Sequence, residues 1–244
     1  MTTPQRVMIS AGAAGIGLAM ARAFVADGAL VHICDIDETA LADAKAALPA
    51  ISTAKLDVAD PDAVDAWFET ALKDLGGLDV LINNAGIAGP TATVEDMDYD
   101  DWRTCLTVCL DSQFLCSRRA VPVLKEQRSG VIINLSSGAG LAGYPYRTPY
   151  CSAKWAVIGF TKSLAAELGP YNVRANAITM GVVTGTRFID VLHPEIADAE
   201  LPKVPLGRHA TVDDITNAAV FLASDRAAFI TGEIMNVAGG AYLR

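Results

Sequence analysis

Short, β-branched apolar runs alternate with longer helical patterns from one end of the chain to the other, and few folds accommodate that rhythm. The runs are Val7 to Ser10, Leu30 to Cys34, Ser52 to Leu56, Val80 to Ile82, Val131 to Leu135, Arg174 to Ile178 and Ile234 to Val237. They are nearly continuous in apolar character, the pattern of parallel strands covered on both faces. Helical patterns lie between them, including Ile16 to Ala26, Pro61 to Leu75, Trp102 to Gln127, Ser152 to Leu168 and Val212 to Ala223. Pro61 behind Asp60 marks one helix start, and Asp100 or Asp101 is expected to cap the third helix. Strand, helix and strand repeated in this way imply an α/β doubly wound sheet. Neither a Pro/Ser-rich linker nor a charge block divides the sequence, so residues 1–244 read as one domain. Phe188 to Pro205 holds three prolines with weak periodicity, and a substrate lid is expected at about 187–205.

Composition removes several classes of function. Twenty-eight acidic residues against nineteen basic ones give a net charge of −9, which disfavours nucleic acid as a partner because such binders need a cationic footprint. The longest apolar runs, such as Ala218 to Ala223, fall far short of the ~20 residues of a membrane-spanning helix. Met1 to Arg6 holds one Arg, and Gly12, Gly15 and Gly17 break the apolar stretch behind it, a poor match to a secretory signal. A cytoplasmic location is the expectation. The five cysteines are odd in number and lack a C-x-x-C pair, which argues against disulfides and zinc. Cys105, Cys109 and Cys116 share one expected helical face, where they read as buried apolar thiols. No metal site is expected from His32, His193 and His209.

The first strand runs into Ser10-Ala11-Gly12-Ala13-Ala14-Gly15-Ile16-Gly17. Glycines in such a turn let backbone N–H groups approach a pyrophosphate, which then rests on the positive end of the next helix. Asp35 stands 18 residues past Gly17, at the end of the second strand, where a carboxylate accepts both ribose hydroxyls of NAD. The same charge repels a 2′-phosphate, and Ile36, Asp37 and Glu38 that follow offer no cation. NAD is therefore preferred over NADP. Further along, Tyr150 and Lys154 are four apart and share a helix face. Ser137 lies thirteen residues before Tyr150, just past an apolar strand, at the edge where open α/β sheets bind ligands. A phenol of pKa ~10 needs a nearby ammonium to serve as a base near neutral pH, and Lys154 is expected to supply it.

This glycine turn, Asp57-Val58, Asn83-Asn84-Ala85-Gly86, Ser137 and Tyr150-Cys151-Ser152-Ala153-Lys154 together resemble the short-chain dehydrogenase/reductase family in order and spacing, over nearly the whole chain. The resemblance implies a Rossmann-type fold with a seven-stranded parallel sheet, a nicotinamide cofactor and a homotetramer. It places Gly12, Ala14, Gly15, Ile16 and Gly17 at the cofactor phosphates, Asp35 and Ile36 at the ribose, and Asp57 and Val58 beside the adenine. Asn84, Ala85 and Gly86 would line the cofactor cleft, with Gly181, Val183 and Thr184 on its far side. Tyr150 would exchange the hydroxyl proton, Lys154 would also bond the nicotinamide ribose, and Ser137 would hold the substrate oxygen.

Three departures from the family pattern stand out. Ala11 occupies the position of the first turn glycine, and the adjacent Gly12 is expected to restore some backbone freedom. Cys109 stands where the family places an asparagine that positions a water in the proton relay, and a thiol cannot replace both halves of an amide. The usual proline-glycine after the sixth strand is Met180-Gly181, and the threonine that follows is Thr184, with Thr186 as the alternative. Tyr144 and Arg147 before Tyr150, and Arg187 at the start of the lid, are the candidate substrate residues. Their guanidinium groups suggest an anionic hydroxy or oxo substrate. The expected activity is NAD-dependent interconversion of a secondary alcohol and a ketone, whether a simple alcohol, a hydroxy acid, a sugar or a polyol. Its rivals are a cofactor-independent dehalogenase on the same fold, disfavoured by Lys154 and Asp35, and a nucleotide-binding relative impaired at Cys109.

Overall fold

The computed structural model describes residues 4–186 and 199–242. Its strands are β1 (Arg6–Ile9), β2 (Leu30–Asp35), β3 (Ser52–Lys55), β4 (Val80–Asn83), β5 (Gly130–Leu135), β6 (Val173–Met180), β7 (Val183–Thr184), β8 (Ala210–Thr211) and β9 (Ile234–Val237). Seven of them form one parallel sheet in the order β3-β2-β1-β4-β5-β6-β9, and β7 pairs with β8 beside it. All seven strands expected from the apolar runs are present, with ends shifted by a residue or two. The winding reverses between β1 and β4, which opens a crevice at the carboxyl edge of the sheet.

Side chains alternate across this sheet, so each strand feeds two cores. Val7 and Ile9 join Met20, Phe24, Leu41, Ile215 and Leu222 on one side, under α1 (Gly15–Ala26), α2 (Glu38–Ala47) and α8 (Val212–Ala223). Met8 faces the other way, toward Trp67, Phe68, Leu115, Leu124 and Leu164 from α3 (Pro61–Leu75), α5 (Ser112–Gln127) and α7 (Thr148–Leu168). Each such large apolar side chain contributes about 1.5–3 kcal/mol on burial. On α5 and α7, Leu115 joins this core and Val157 is buried, whereas Phe114 and Trp155 stay exposed.

Asp60 caps α3 as expected, accepting from the N–H groups of Asp62 and Ala63. The third helix differs from expectation in two ways. Its cap is Asp98, which accepts from Asp100 and Asp101, because the helix begins a turn earlier at Tyr99. It is also divided into α4 (Tyr99–Leu106), a π segment over Thr107–Asp111, and α5. A π turn adds a residue and shifts the face that follows. Cys105 and Cys109 therefore pack with Tyr150 and Ala153, while Cys116 joins the sheet core. The helices α2 and α6 (Gly138–Ala142) complete the set named here.

His32 is buried in the middle of β2, and its Nδ1 accepts the Trp67 indole N–H at 3.1 Å. Burial lowers its pKa, opposed by the Asp74 carboxylate and a backbone hydrogen bond at Ile33. In the unfolded chain the imidazole takes up a proton near pH 6.5, while the folded protein resists until the pH is lower. The stability held by neutral His32 is thus present above about pH 6.5 and lost as pH falls from there toward the folded pKa. The urea midpoint is expected to drop between pH 7 and 5, and to drop less in His32→Asn, whose amide oxygen can still accept from Trp67. Equal drops in the two proteins would remove His32 from the acid limb.

Candidate active site

A cavity of about 540 Å³ opens at the carboxyl edge of the sheet, and its wall combines the glycine turn with Ser137, Tyr150 and Lys154. At the turn, Ala11 takes a left-handed φ of 50° and Gly15 one of 51°. The alanine departure is thus accommodated by Ala11 itself, contrary to the expectation that Gly12 would supply the freedom. Asn84 holds the strained residue, its Nδ2 donating to the carbonyls of Ala11 at 2.9 Å and Ser10 at 3.1 Å. Gly12 has a different duty. A Cβ there would lie 2.6 Å from Ile33 Cβ, and one on Gly17 would lie 2.3 Å from the Ala11 oxygen. Gly12 and Gly17 therefore stay behind the wall as packing residues, while Ala14, Gly15 and Ile16 face the cavity.

Ala14 precedes α1 without a side-chain cap, and no acidic residue occupies the helix's first turn. Its N–H groups lie at the cleft, the arrangement that suits a phosphate. Across the turn, the Asp35 carboxylate accepts from the N–H groups of Ala13 at 3.1 Å and Asp37 at 3.2 Å, which holds it at the cavity rim beside Ile36. Lys55 is its sheet neighbour, a cation that linear sequence places 20 residues away. The Lys55 ammonium pairs with Glu38 at 2.6 Å. Asp57, Val58, Asn84, Ala85 and Gly86 complete this half of the wall, with Gly181 and Val183 opposite. The site therefore fits a nicotinamide dinucleotide in shape and in charge.

Thr184 does not reach the cavity. It sits in β7, and its hydroxyl donates to the Ala210 carbonyl at 3.2 Å; the threonine in the wall is Thr186, anchored to the Val183 carbonyl at 3.0 Å. The two-residue offset follows from the β7–β8 pairing, which sequence did not announce.

At the chemical end, α7 starts at Thr148, so Tyr150 lies in its first turn. Ser137 caps α6, accepting from Ala139 N–H at 3.1 Å, and hydrogen-bonds the Tyr150 phenol. The buried Lys154 ammonium donates to the Leu135 carbonyl at 2.9 Å and lies 5.8 Å from the Tyr150 ring centre. Burial lowers the Lys154 pKa, and the Cys109 and Cys105 sulfurs oppose that. Burial pushes the Tyr150 phenol well above its ordinary range, and the Ser137 hydrogen bond is the largest pull back. Cys109 adds to the rise, Arg147 lowers it, and Cys105 raises it again.

Arg147 and Tyr144 both line the cavity. Arg147 is not a free fork, however. It donates to the Ala88 carbonyl and to Thr91 Oγ1 at 3.0 Å, with its guanidinium 5.7 Å from the Tyr150 ring centre. Arg187 lies outside the described residues, as does the stretch 187–198 of the lid expected at about 187–205. Cys109 is no simple apolar thiol. Its Sγ accepts from Ile87 N–H at 3.4 Å and sits 3.4 Å from the Ile87 oxygen. A hydrogen bond from Cys105 draws the Cys109 thiol below its ordinary pKa, with Lys154 and the Ile87 N–H adding to that.

Sequence reading missed several participants. Gln113 is buried and donates to the Leu135 carbonyl at 3.1 Å, sharing that acceptor with Lys154. Ser136 donates to the Lys154 carbonyl at 2.7 Å. Ser10 Oγ accepts from the N–H groups of Asn84 and Ala85. Glu200 and Tyr242 enter the cavity wall from the far end of the chain. Gln113, Glu200 and Tyr242 carry no local motif, whereas Ser136 stands beside Ser137 and Ser10 opens the glycine turn.

A family model described as Enoyl-(Acyl carrier protein) reductase matches residues 11–242. Over 244 aligned residues the chain is 38% identical to 2-(S)-hydroxypropyl-CoM dehydrogenase 3 of Xanthobacter autotrophicus, covering 96% of this chain and 95% of that protein. It is 37% identical to the 3-oxoacyl-[acyl-carrier-protein] reductase FabG of Chlamydia muridarum, again over 96% and 95%. Among solved structures, a 3-oxoacyl-[acyl-carrier protein] reductase with bound NAD from Brucella melitensis superposes with a TM-score of 0.89 at 35% identity, over 98% of this chain and 92% of that one. Fold and site define a dinucleotide-dependent oxidoreductase. The chain belongs to the short-chain dehydrogenase/reductase family.

The turn geometry separates two glycine roles. Gly12→Ala is expected to lose about 1–3 kcal/mol of stability through overpacking against Ile33. Ala11→Gly relieves a left-handed residue that costs about 1–2 kcal/mol but gains unfolded-state entropy, so its urea midpoint should match or exceed the parent's. Denaturation of both variants checks the contrast, and an Ala11→Gly protein less stable than Gly12→Ala would refute it.

Proposed function

We propose that the protein interconverts a secondary alcohol and a ketone with NAD(H), Tyr150 exchanging the hydroxyl proton. The observation that carries this reading is the meeting of Ser137, Tyr150 and Lys154 in one cavity with the Asp35-bearing glycine turn. When bound, the nicotinamide supplies the hydride chemistry. The chain's own residues do the rest. Ala14, Gly15 and Ile16 would hold the phosphates, and Asp35 the adenosine ribose. The Ser137 hydroxyl would hold the substrate oxygen beside the Tyr150 hydroxyl. The Tyr150 oxygen would take the alcohol proton during oxidation and return it during reduction. Lys154, anchored on Leu135, would keep a positive charge behind the phenol and reach the nicotinamide ribose. The NAD-bound Brucella relative supports the choice of nicotinamide cofactor, and the Asp35 carboxylate supports NAD over NADP. The reading extends to a homotetramer, supported by the exposed Phe114 and Trp155 on α5 and α7.

Oxidation needs the deprotonated phenol and reduction the protonated one. Because burial raises the Tyr150 pKa, oxidation is expected to keep rising with pH through the alkaline range, while reduction stays flat around neutrality. Tyr150→Phe should lose at least about 10²-fold in kcat, the lower end of the general acid–base contribution, with NAD still bound. Parental turnover in that variant would overturn the proton role. For the cofactor, Asp35→Ser is expected to lower the preference for NAD over NADP, read as the ratio of their dissociation constants, by about tenfold or more, equivalent to ~1.4 kcal/mol. An unchanged ratio would show that discrimination lies elsewhere.

A further inference from the structure

Three polar side chains at the substrate end of the cavity are unused by this mechanism. Tyr144 comes from the loop before α7, Glu200 from beyond residue 198, and Tyr242 from the end of the described chain; all three line the cavity. Tyr144 Oη donates to Glu200 Oε2 at 2.9 Å and lies 2.7 Å from Tyr242 Oη. Lys203 closes the charge, its Nζ 2.6 Å from Glu200 Oε1. The cluster abuts the reacting groups on two sides. The Tyr242 ring lies against Gly138, where an added Cβ would meet Tyr242 Cε2 at 2.2 Å, one residue after Ser137. Tyr144 packs onto the small apolar cluster that contains Tyr150.

Proton counting defines what such a cluster can bind. Each phenol has one hydrogen. The Tyr144 hydrogen goes to Glu200, so the 2.7 Å contact requires Tyr242 to donate to Tyr144. Within the cluster both phenolic hydrogens are then committed, while lone pairs remain on Tyr242, Tyr144 and Glu200. Lys203 is not among the cavity-lining residues, so the edge that Tyr144, Glu200 and Tyr242 present to the cavity is acceptor-only. A carboxylate or sulfonate brought there meets acceptors with acceptors and a carboxylate besides. Glu200 is already paired with Lys203, so the site calls for no cation. A neutral donor is what remains, and an alcohol hydroxyl provides one.

Resting on the alcohol-oxidoreductase reading above, we infer that Tyr144, Glu200 and Tyr242 form a hydroxyl-recognising subsite and that the substrate class is a neutral polyol. One carbinol meets Ser137 and Tyr150, and a further hydroxyl donates to the cluster. Burial and the hydrogen bond donated to Glu200 hold the Tyr144 phenol protonated far into alkali, and burial raises Tyr242 as well, so the hydrogen pattern persists over the working pH range. A neutral polyol differs from the anionic substrate that Arg147 and Arg187 suggested: the Arg147 guanidinium is tied to Ala88 and Thr91, and Arg187 lies outside the described residues.

The test follows reduced-nicotinamide absorbance with NAD and three substrates: a pentitol, 2-pentanol and 3-hydroxybutyrate. The parent is expected to show the highest kcat/KM on the pentitol. In Tyr242→Phe the ratio of pentitol to 2-pentanol kcat/KM should fall at least tenfold, and Tyr144→Phe gives an independent second reading of the same ratio. Ratios within twofold of the parent's in both variants, or a parent that prefers 3-hydroxybutyrate, would overturn the subsite while leaving the alcohol-oxidoreductase reading intact. Absence of signal from the parent with all three substrates in both directions would instead overturn that broader reading, and the subsite with it.

Discussion

The Leu135 carbonyl, at the carboxyl end of β5, organises the chemical half of the molecule. It accepts from Lys154 at 2.9 Å and from Gln113 at 3.1 Å, so one strand end ties together α7, α5 and the sheet. A buried ammonium is costly unless its donors are met, and this contact is what permits Lys154 to sit beneath the cavity. With Lys154 set, Tyr150 follows one helical turn away, and Ser137 follows two residues beyond the strand. Removing the strand end from its register would therefore displace all three groups together.

A second polar layer supports that arrangement from below. Asn83 donates to Asn134 at 2.8 Å, and Asn134 to Thr161 at 2.9 Å. These bonds link β4, β5 and α7 inside the sheet, with the buried Asn83 Oδ1 left without a partner among the described residues. The neighbouring Asn84 reaches the opposite way to the glycine turn. Adjacent asparagines thus connect the two halves of the site, one beneath the proton-transfer groups and the other beneath the phosphate cradle. The left-handed Ala11 is held by the Asn84 amide on its carbonyl, between the closely packed Gly12 and Gly17.

Cys109 shows how a departure from a family pattern can be absorbed. The sulfur keeps contact with both backbone polar groups of Ile87, while the π segment that carries it lets Cys105 approach as a hydrogen-bonding partner. Sequence comparison suggested only a lost amide. The structure shows a polar role for the thiol, in contact with the Ile87 backbone.

Sequence by itself determined the parallel α/β sheet, the glycine turn with Asp35, and the Ser137, Tyr150 and Lys154 constellation, because those signals are local: apolar periodicity, a tight turn and a one-turn helical spacing. Helix α4 to α5 was harder, since a π insertion leaves no compositional mark. Tertiary structure alone decided that Thr186 rather than Thr184 meets the cavity, and that Glu200 and Tyr242 join Tyr144. Those outcomes depend on contacts between residues as many as 98 positions apart. Packing and desolvation set them, and no local pattern of residues encodes either.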